Sequence, residues 1–316
     1  MVRKIYKRYG ALIILLSELV LFSVLSPGFL SYSNLMGIVR QASIIGIVAV
    51  GVSIVMIGGN RDMSIGGMMG LLCIVSSMLM IKVGAAIWLA VLITIIVGAL
   101  LGLISGLFVA FLEVESMILT LGTMTVWTAI AFILSDSHNV SGDLSEFRFL
   151  GNGFLGVIPF HVVLFIVIVL LSSFVLHRTY FGKHIYAMGG NVESARLAGI
   201  QVKKLKVMTY VISGLLTAVA ALVYISRVNV YQPDTGSNYP LDCITAAVIG
   251  GVSVRGGEGT ILGVVAGTLA ITMLGNGLLF LNVNTYYRDL VKGIIMLAVL
   301  AAETLEIRHK GKELAE

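Results

Sequence analysis

Long apolar runs punctuate this chain so densely that they leave little room for any fold but a membrane one. A helix needs about 20 mostly apolar residues to cross the hydrocarbon core of a bilayer. Runs that meet or approach this length span Ala11 to Leu25, Ile38 to Ile57, Ile65 to Ile81, Ala85 to Phe111 and Met117 to Leu134. Others follow at Phe160 to Leu176, Val207 to Ile225, Ile261 to Phe280 and Leu290 to Leu305, with a short one from Leu241 to Ile249. About ten passes result. Composition agrees: only 12% of residues are charged, 58% are hydrophobic, and the mean hydropathy is +1.02. A soluble domain carries roughly 25% charged residues, so a wet surface could not be covered here. The expected fold is an all-α polytopic membrane protein forming a single domain over residues 1–316.

The net charge of +5 could suggest a nucleic-acid partner, but its distribution argues otherwise. Basic residues cluster at Arg3, Lys4, Lys7 and Arg8, at Arg178, Lys183, Arg196, Lys203, Lys204 and Lys206, and at Arg308, Lys310 and Lys312. The polar stretch from Ser135 to Pro159 instead holds Asp136, Asp143 and Glu146 against Arg148. Because cytoplasmic loops carry the excess of Lys and Arg, both termini and the central loop, 178–206, are expected inside and the 135–159 stretch outside. An even number of passes fits that assignment. The N-terminal run lacks a small-x-small cleavage site before Ser26-Pro27 and reads as an uncleaved first helix. Cys73 and Cys243 sit in apolar runs with no C-x-x-C spacing, as buried structural thiols do.

Two spans are interrupted by glycine-rich polar runs, IGGNRDMSIGG from Ile57 to Gly67 and IGGVSVRGGEG from Ile249 to Gly259. Their glycines include Gly58, Gly59 and Gly66 in the first and Gly250, Gly251, Gly256, Gly257 and Gly259 in the second. Irregular backbone near membrane depth is tolerated only where protein buries it or it lines a wet cavity, and transporters expose helix ends to solutes at such breaks. Asp62 and Ser64 are therefore translocation-path candidates. If the break lies at the cytoplasmic surface, Asp62 is instead the N-cap of the next helix, paired with Arg61. Thr123, in TLGTMT, and Asn276, in MLGNGL, are further path candidates. The alternatives are that the threonine hydroxyls bond back to their own helix and that Asn276 bridges helices. Gly98, Gly102 and Gly106 form a small-residue stripe, as do Gly263 and Gly267, and both are expected to pack internally.

The central loop runs HRTYFGKHIYAMGGNVESARLAGIQVKKLK. Within it, Asn191 is placed to cap a helix of about two turns, Glu193 and Ser194 occupy its first turn, and Gly199 can end it in a left-handed conformation. Val192, Ala195 and Ala198 share one face, and Glu193 can pair with Arg196 three residues on. So short a helix is marginal unless it rests on something. It is either a knob for another protein or a surface helix packed on this chain. No catalytic or metal-binding constellation accompanies these features: the histidines are scattered, and no G-x-x-x-x-G-K-[ST] phosphate loop occurs. If transport is active, its energy must come from another subunit or an ion gradient.

Several runs together resemble a known family, the membrane permease subunits of bacterial ABC importers for ribose and related sugars. They are VGVSIVMIGGNRDMSIGG, ILTLGTMT, FGKHIYAMGGNVESARLAGI, AAVIGGVSVRGGEGTILG, LGNGLLFLNVN and VKGIIMLAVL, in family order across nearly the whole chain. The resemblance implies that the short central helix is a coupling helix that docks into a cytosolic ATP-binding subunit, through Gly190, Asn191, Glu193, Ala195, Arg196 and Gly199. It implies a second permease chain, identical or paralogous, and an extracytoplasmic sugar-binding protein. ATP and Mg would then belong to the partner ATPase, with no cofactor on this chain, and the place would be the bacterial cytoplasmic membrane. The implied solute is a monosaccharide or a sugar-like autoinducer. This chain departs from the family pattern where relatives usually have a glycine and an aliphatic before the aspartate, here Asn60 and Arg61, and where they have a small residue at Arg255. These cations either pair with Asp62 and Glu258 or favour an anionic solute. An ion-coupled secondary transporter is the alternative; it would use carboxylates such as Asp62 and Asp242 as a relay.

Overall fold

The computed structural model describes the backbone of residues 2–228 and 230–313. The side chains of the terminal basic clusters, Arg3 to Arg8 and Arg308 to Lys312, lie outside the described residues. Helices account for nearly all regular structure: α1 (Val2–Leu25), α2 (Tyr32–Ile57), α3 (Ile65–Ile81), α4 (Ile87–Phe111) and α5 (Ser116–Leu134) come first. A short irregular cap follows, containing β1 (Val140–Ser141), α6 (Phe149–Asn152), β2 (Phe154–Leu155) and β3 (Ile158–Pro159). Then come α7 (Phe160–Arg178), α8 (Tyr180–Gly190), α9 (Val192–Leu197), α10 (Val202–Ile225), β4 (Val230–Tyr231), α11 (Tyr239–Ile249), α12 (Ile261–Phe280) and α13 (Thr285–Glu313). Among the described residues, α2, α4, α5, α7, α10 and α12 are long and apolar enough to cross a membrane, and α1, α3 and α11 contain shorter apolar stretches.

The bundle is organised around α2. Its second half, Ile44 to Ile57, is apolar on every face and buried throughout, packed by α7, α10, α11 and α12. The helices around it follow membrane logic. On α4 the buried face is small and polar, with Ala90, Thr94, Gly98, Gly102, Ser105 and Gly106. Its exposed face carries Leu92, Ile96, Leu100, Ile104 and Phe108, which suits a lipid environment. The glycine stripe packs internally, as expected. A Cβ on Gly98 would stand 2.7 Å from Gly214 O, and one on Gly102 2.3 Å from Tyr210 O, so α4 and α10 touch backbone to backbone. Gly267 does the same against Ala246 O of α11. Both cysteines are fully buried and unpaired.

The 135–159 stretch folds as a cap rather than an open loop. β1 pairs with β4, Arg148 holds Asp143 at 3.1 Å, and Asn152 donates to Ser226 O at the end of α10.

Candidate functional site

The central loop is not a single polar excursion with one helix in it. Thr179 caps α8 by accepting from Gly182 N–H, and Gly182, Ile185 and Met188 turn inward. The sequence reading passed over α8, although Phe181, Ile185 and Met188 recur at the spacing of an amphipathic helix. A Cβ on Gly182 would stand 2.1 Å from Leu176 O, so α7 and α8 meet at a tight elbow.

After α8 the chain turns at Asn191, whose side chain accepts from Ser194 N–H at 2.8 Å and so caps α9. The helix ends as its glycine implies: Gly199 has φ +82°, its N–H donates to Arg196 O at 3.0 Å, and Ile200 N–H donates to Ala195 O at 3.1 Å. That pair of bonds is a Schellman closure, and it satisfies carbonyls that a two-turn helix would otherwise leave bare. Val192 and Ala195 pack inward, Ala195 to 3% exposure, whereas Ala198 is exposed at the C-cap and does not join that face. Ala195 thus holds the knob on its own chain and offers a partner nothing. Glu193 and Arg196 face solvent and pair at 3.3 Å. Leu197, 89% exposed, is the apolar tip that sequence reasoning missed. Two residues beyond Ala195, it falls about 200° round the helix, on the face away from the core.

Both glycine breaks converge on the base of this loop. Gly257 N–H donates to Ile57 O at 2.8 Å, capping the end of α2, and Tyr186 of α8 donates its hydroxyl to Gly259 O at 2.7 Å. The end of α8 is wedged between them. A Cβ on Gly189 would sit 1.9 Å from Ile57 O and 2.5 Å from Gly257 N, which no side chain could tolerate. A Cβ on Gly190 would meet nothing within 4 Å. The breaks therefore form a backbone joint closed by α8, at the same end of the bundle as the basic loop, where chain parity puts them.

Asp62 and Ser64 are fully buried in the first break and do not line an open path. Ser64, not Asp62, occupies the N-cap position of α3. Asp62 Oδ1 accepts from the Ser64 N–H at 3.0 Å and from the Ser64 hydroxyl, while Ser213 of α10 donates to Oδ2 at 2.7 Å. Neighbouring bonds fix the rest of the turn. Arg61 N–H donates to Ser116 Oγ at 3.0 Å, Met63 N–H to Thr120 Oγ1 at 3.1 Å, and the Tyr210 hydroxyl to Arg61 O at 2.7 Å. Arg61 does not pair with Asp62. Its guanidinium reaches Glu115 at 3.4 Å and Val254 O at 3.4 Å, bridging the α4–α5 turn and the second break. Arg255 is exposed, and its N–H donates to Ser253 Oγ. Ser213 and Tyr210 carry no local mark of this role, since their partner lies far away in sequence.

The other path candidates are scattered. Thr123 bonds back to Thr120 O at 3.1 Å, and Thr120 to Ser116 O at 2.7 Å. Asn276 lies on α12, away from Asp62, with a buried Oδ1 that finds no partner among the described residues. Asp242 is engaged through both oxygens by Lys292 at 3.0 Å, tying α11 to α13. Glu18 on α1, absent from the sequence reading, is half-buried, and its Oε2 has no partner among the described residues.

Comparison with known proteins fits this architecture. Residues 34–300 match the family described as "Branched-chain amino acid transport system / permease component". The chain is 34% identical to the ribose import permease protein RbsC of Haemophilus influenzae, over 94% of this chain and 92% of that one. It is also 34% identical to the galactose/methyl galactoside import permease protein MglC of Escherichia coli, over 96% of each. Its fold is shared, at a TM-score of 0.52 and 14% identity over 94% of this chain and 98% of the other, with a metal-chelate-type ABC transporter in an inward-facing conformation. The chain belongs to this family of membrane permease components.

Proposed function

We propose that this chain is the membrane-spanning subunit of an ATP-driven importer of a monosaccharide, a single membrane domain with both termini and the central loop in the cytoplasm. ATP and Mg bind a separate cytosolic ATPase, an extracytoplasmic binding protein delivers the sugar, and a second permease chain completes the pathway. Kinship with both a ribose and a galactose permease supports a sugar and leaves open which one.

The observation that carries the reading is the joint between α9 and the two breaks. The α9 knob presents Glu193, Arg196 and Leu197 outward, while α8, attached directly behind it, is wedged by Gly189 between Ile57 and Gly257. A displacement of α9 by a docked ATPase would reach the ends of α2 and α11 through α8 and that wedge. Asn191 and Gly199 act by shaping the knob, Asn191 capping it and Gly199 closing it, while Gly190 only leads into it. Asp62 and Ser64 serve as an internal anchor for the moving parts rather than as solute ligands. The engagement of Asp242 by Lys292 gives it a structural partner, which argues against an ion relay through it.

The test is uptake of labelled sugar into vesicles holding this permease, its ATPase and its binding protein. Uptake should require ATP and be lost in Glu193→Ala/Arg196→Ala with permease abundance unchanged. Uptake that runs without the ATPase and follows a proton or sodium gradient would replace this reading with the ion-coupled one.

A further inference from the structure

We infer that a groove between the end of α4, α9 and the start of α10 binds the phosphate-bearing headgroup of an anionic phospholipid. The inference goes beyond the coupling reading and rests only on the central loop lying at a membrane face.

The groove has a volume of about 680 Å³, with an adjoining one of about 180 Å³ that shares Glu113, Arg196, Val202 and Lys203. Its floor is apolar, from Leu107, Phe111 and Val207. Its rim is cationic. Arg196, Lys203, Lys204 and Lys206 line the two grooves against one carboxylate, Glu113. Lys203 Nζ stands 5.3 Å over the Phe111 ring and 3.6 Å from Glu113, in an ion pair that is half open to solvent and therefore weak. Lys206 also faces Glu113, and Arg196 pairs with Glu193 at 3.3 Å, so four cations stand against two carboxylates.

Two further features point to a lipid rather than a soluble anion. The exposed apolar stripe of α4, through Leu92, Ile96, Leu100, Ile104 and Phe108, runs the length of the helix and ends in the groove at Leu107 and Phe111. An acyl chain lying along that stripe would deliver its phosphate to the cationic rim. The charge is also placed against local preference. The first turn of α10 carries Lys203 and Lys204 with no acidic residue and no capping side chain, although helix N-termini favour anions. A bound phosphate reverses that penalty and meets the unbonded N–H groups there. Basic pockets of this kind, between helices at the cytoplasmic face, suit anionic headgroups.

The experiment uses the full-length permease alone in detergent, so the outcome does not depend on whether α9 docks an ATPase. Retained lipid is measured by native mass spectrometry after mixing with phosphatidylglycerol or phosphatidylcholine of identical acyl chains. The wild type should retain phosphatidylglycerol over phosphatidylcholine, and Lys203→Ala/Lys204→Ala should reduce that preference by roughly tenfold or more. Lys203→Arg/Lys204→Arg should keep it, which separates lost charge from lost folding. Arg178→Ala/Lys183→Ala, which removes loop cations outside the groove, should leave it unchanged. Equal retention of the two lipids, or equal loss in the two alanine pairs, would overturn the inference. Displacement of phosphatidylglycerol by glycerol 3-phosphate at matching concentration would overturn it too, by giving the groove a soluble phosphate as ligand.

Discussion

The two glycine breaks look alike in sequence and are held differently. The first, Gly58 to Ser64, is fixed largely by side chains: its own Asp62 and Ser64, Ser116 and Thr120 of α5, and Tyr210 and Ser213 of α10 satisfy the turn, and Asp62 is fully buried. The second, Gly250 to Gly259, is held through its backbone groups: Gly257 N–H donates to Ile57 O, Arg255 N–H donates to Ser253 Oγ, Gly259 O accepts from the Tyr186 hydroxyl, and Val254 O accepts from the Arg61 guanidinium. Gly251, Gly256, Gly257 and Gly259 take positive φ, and Arg255 and Glu258 are exposed. A turn held by a buried carboxylate resists movement. A turn whose glycines take positive φ depends instead on backbone conformations that other residues rarely adopt. The first break is thus pinned through a buried carboxylate and the second through its backbone groups, with α8 wedged between Ile57 and Gly257.

The largest effect should come from removing the anchor. Asp62→Ala leaves the hydroxyls of Ser64 and Ser213 buried without their acceptor, a loss of about 2–4 kcal/mol, read as a lowered unfolding temperature in detergent. Asp62→Asn, which keeps the shape and an acceptor oxygen, should lose clearly less. A variant with Ala at 62 as stable as wild type would break the distinction between the two regions. Tyr210→Phe removes the hydroxyl held by Arg61 O and should cost about 1 kcal/mol in the same assay.

At the second break the expected changes are smaller. Tyr186→Phe removes the bond to Gly259 O from a half-buried site, so its stability loss should fall below that of Tyr210→Phe while transport slows. Arg255→Ala, at an exposed position, should stay within about 0.5 kcal/mol of wild type and transport normally. Lost uptake in a stable Arg255→Ala permease would instead give Arg255 a solute or partner contact.

Most of the fold was legible in the sequence because bilayer length and apolar content are coarse signals. The starts and ends of α3 and α12 coincide with the apolar runs, and the α9 caps follow from Asn191 and Gly199 alone. What escaped was relational. Arg61 beside Asp62 invites a pairing, but the buried carboxylate is served by hydroxyls and the guanidinium turns to Glu115. Nothing local tells Gly189 from Gly190. Only the positions of α2 and the second break make one indispensable and leave the other free. The contacts of Ile57, Gly257 and Gly259 with α8 are likewise set by residues distant in sequence.

That difference between adjacent glycines gives the most direct test of the claim that α8 transmits movement from α9 to both breaks. ATP-dependent sugar uptake would be measured in vesicles for Gly189→Ala and Gly190→Ala, with permease abundance and ATPase co-purification as controls. The account predicts that Gly189→Ala abolishes uptake while the ATPase still co-purifies, and that Gly190→Ala retains most of it. Wild-type uptake in Gly189→Ala, or an equal loss in both, would contradict it.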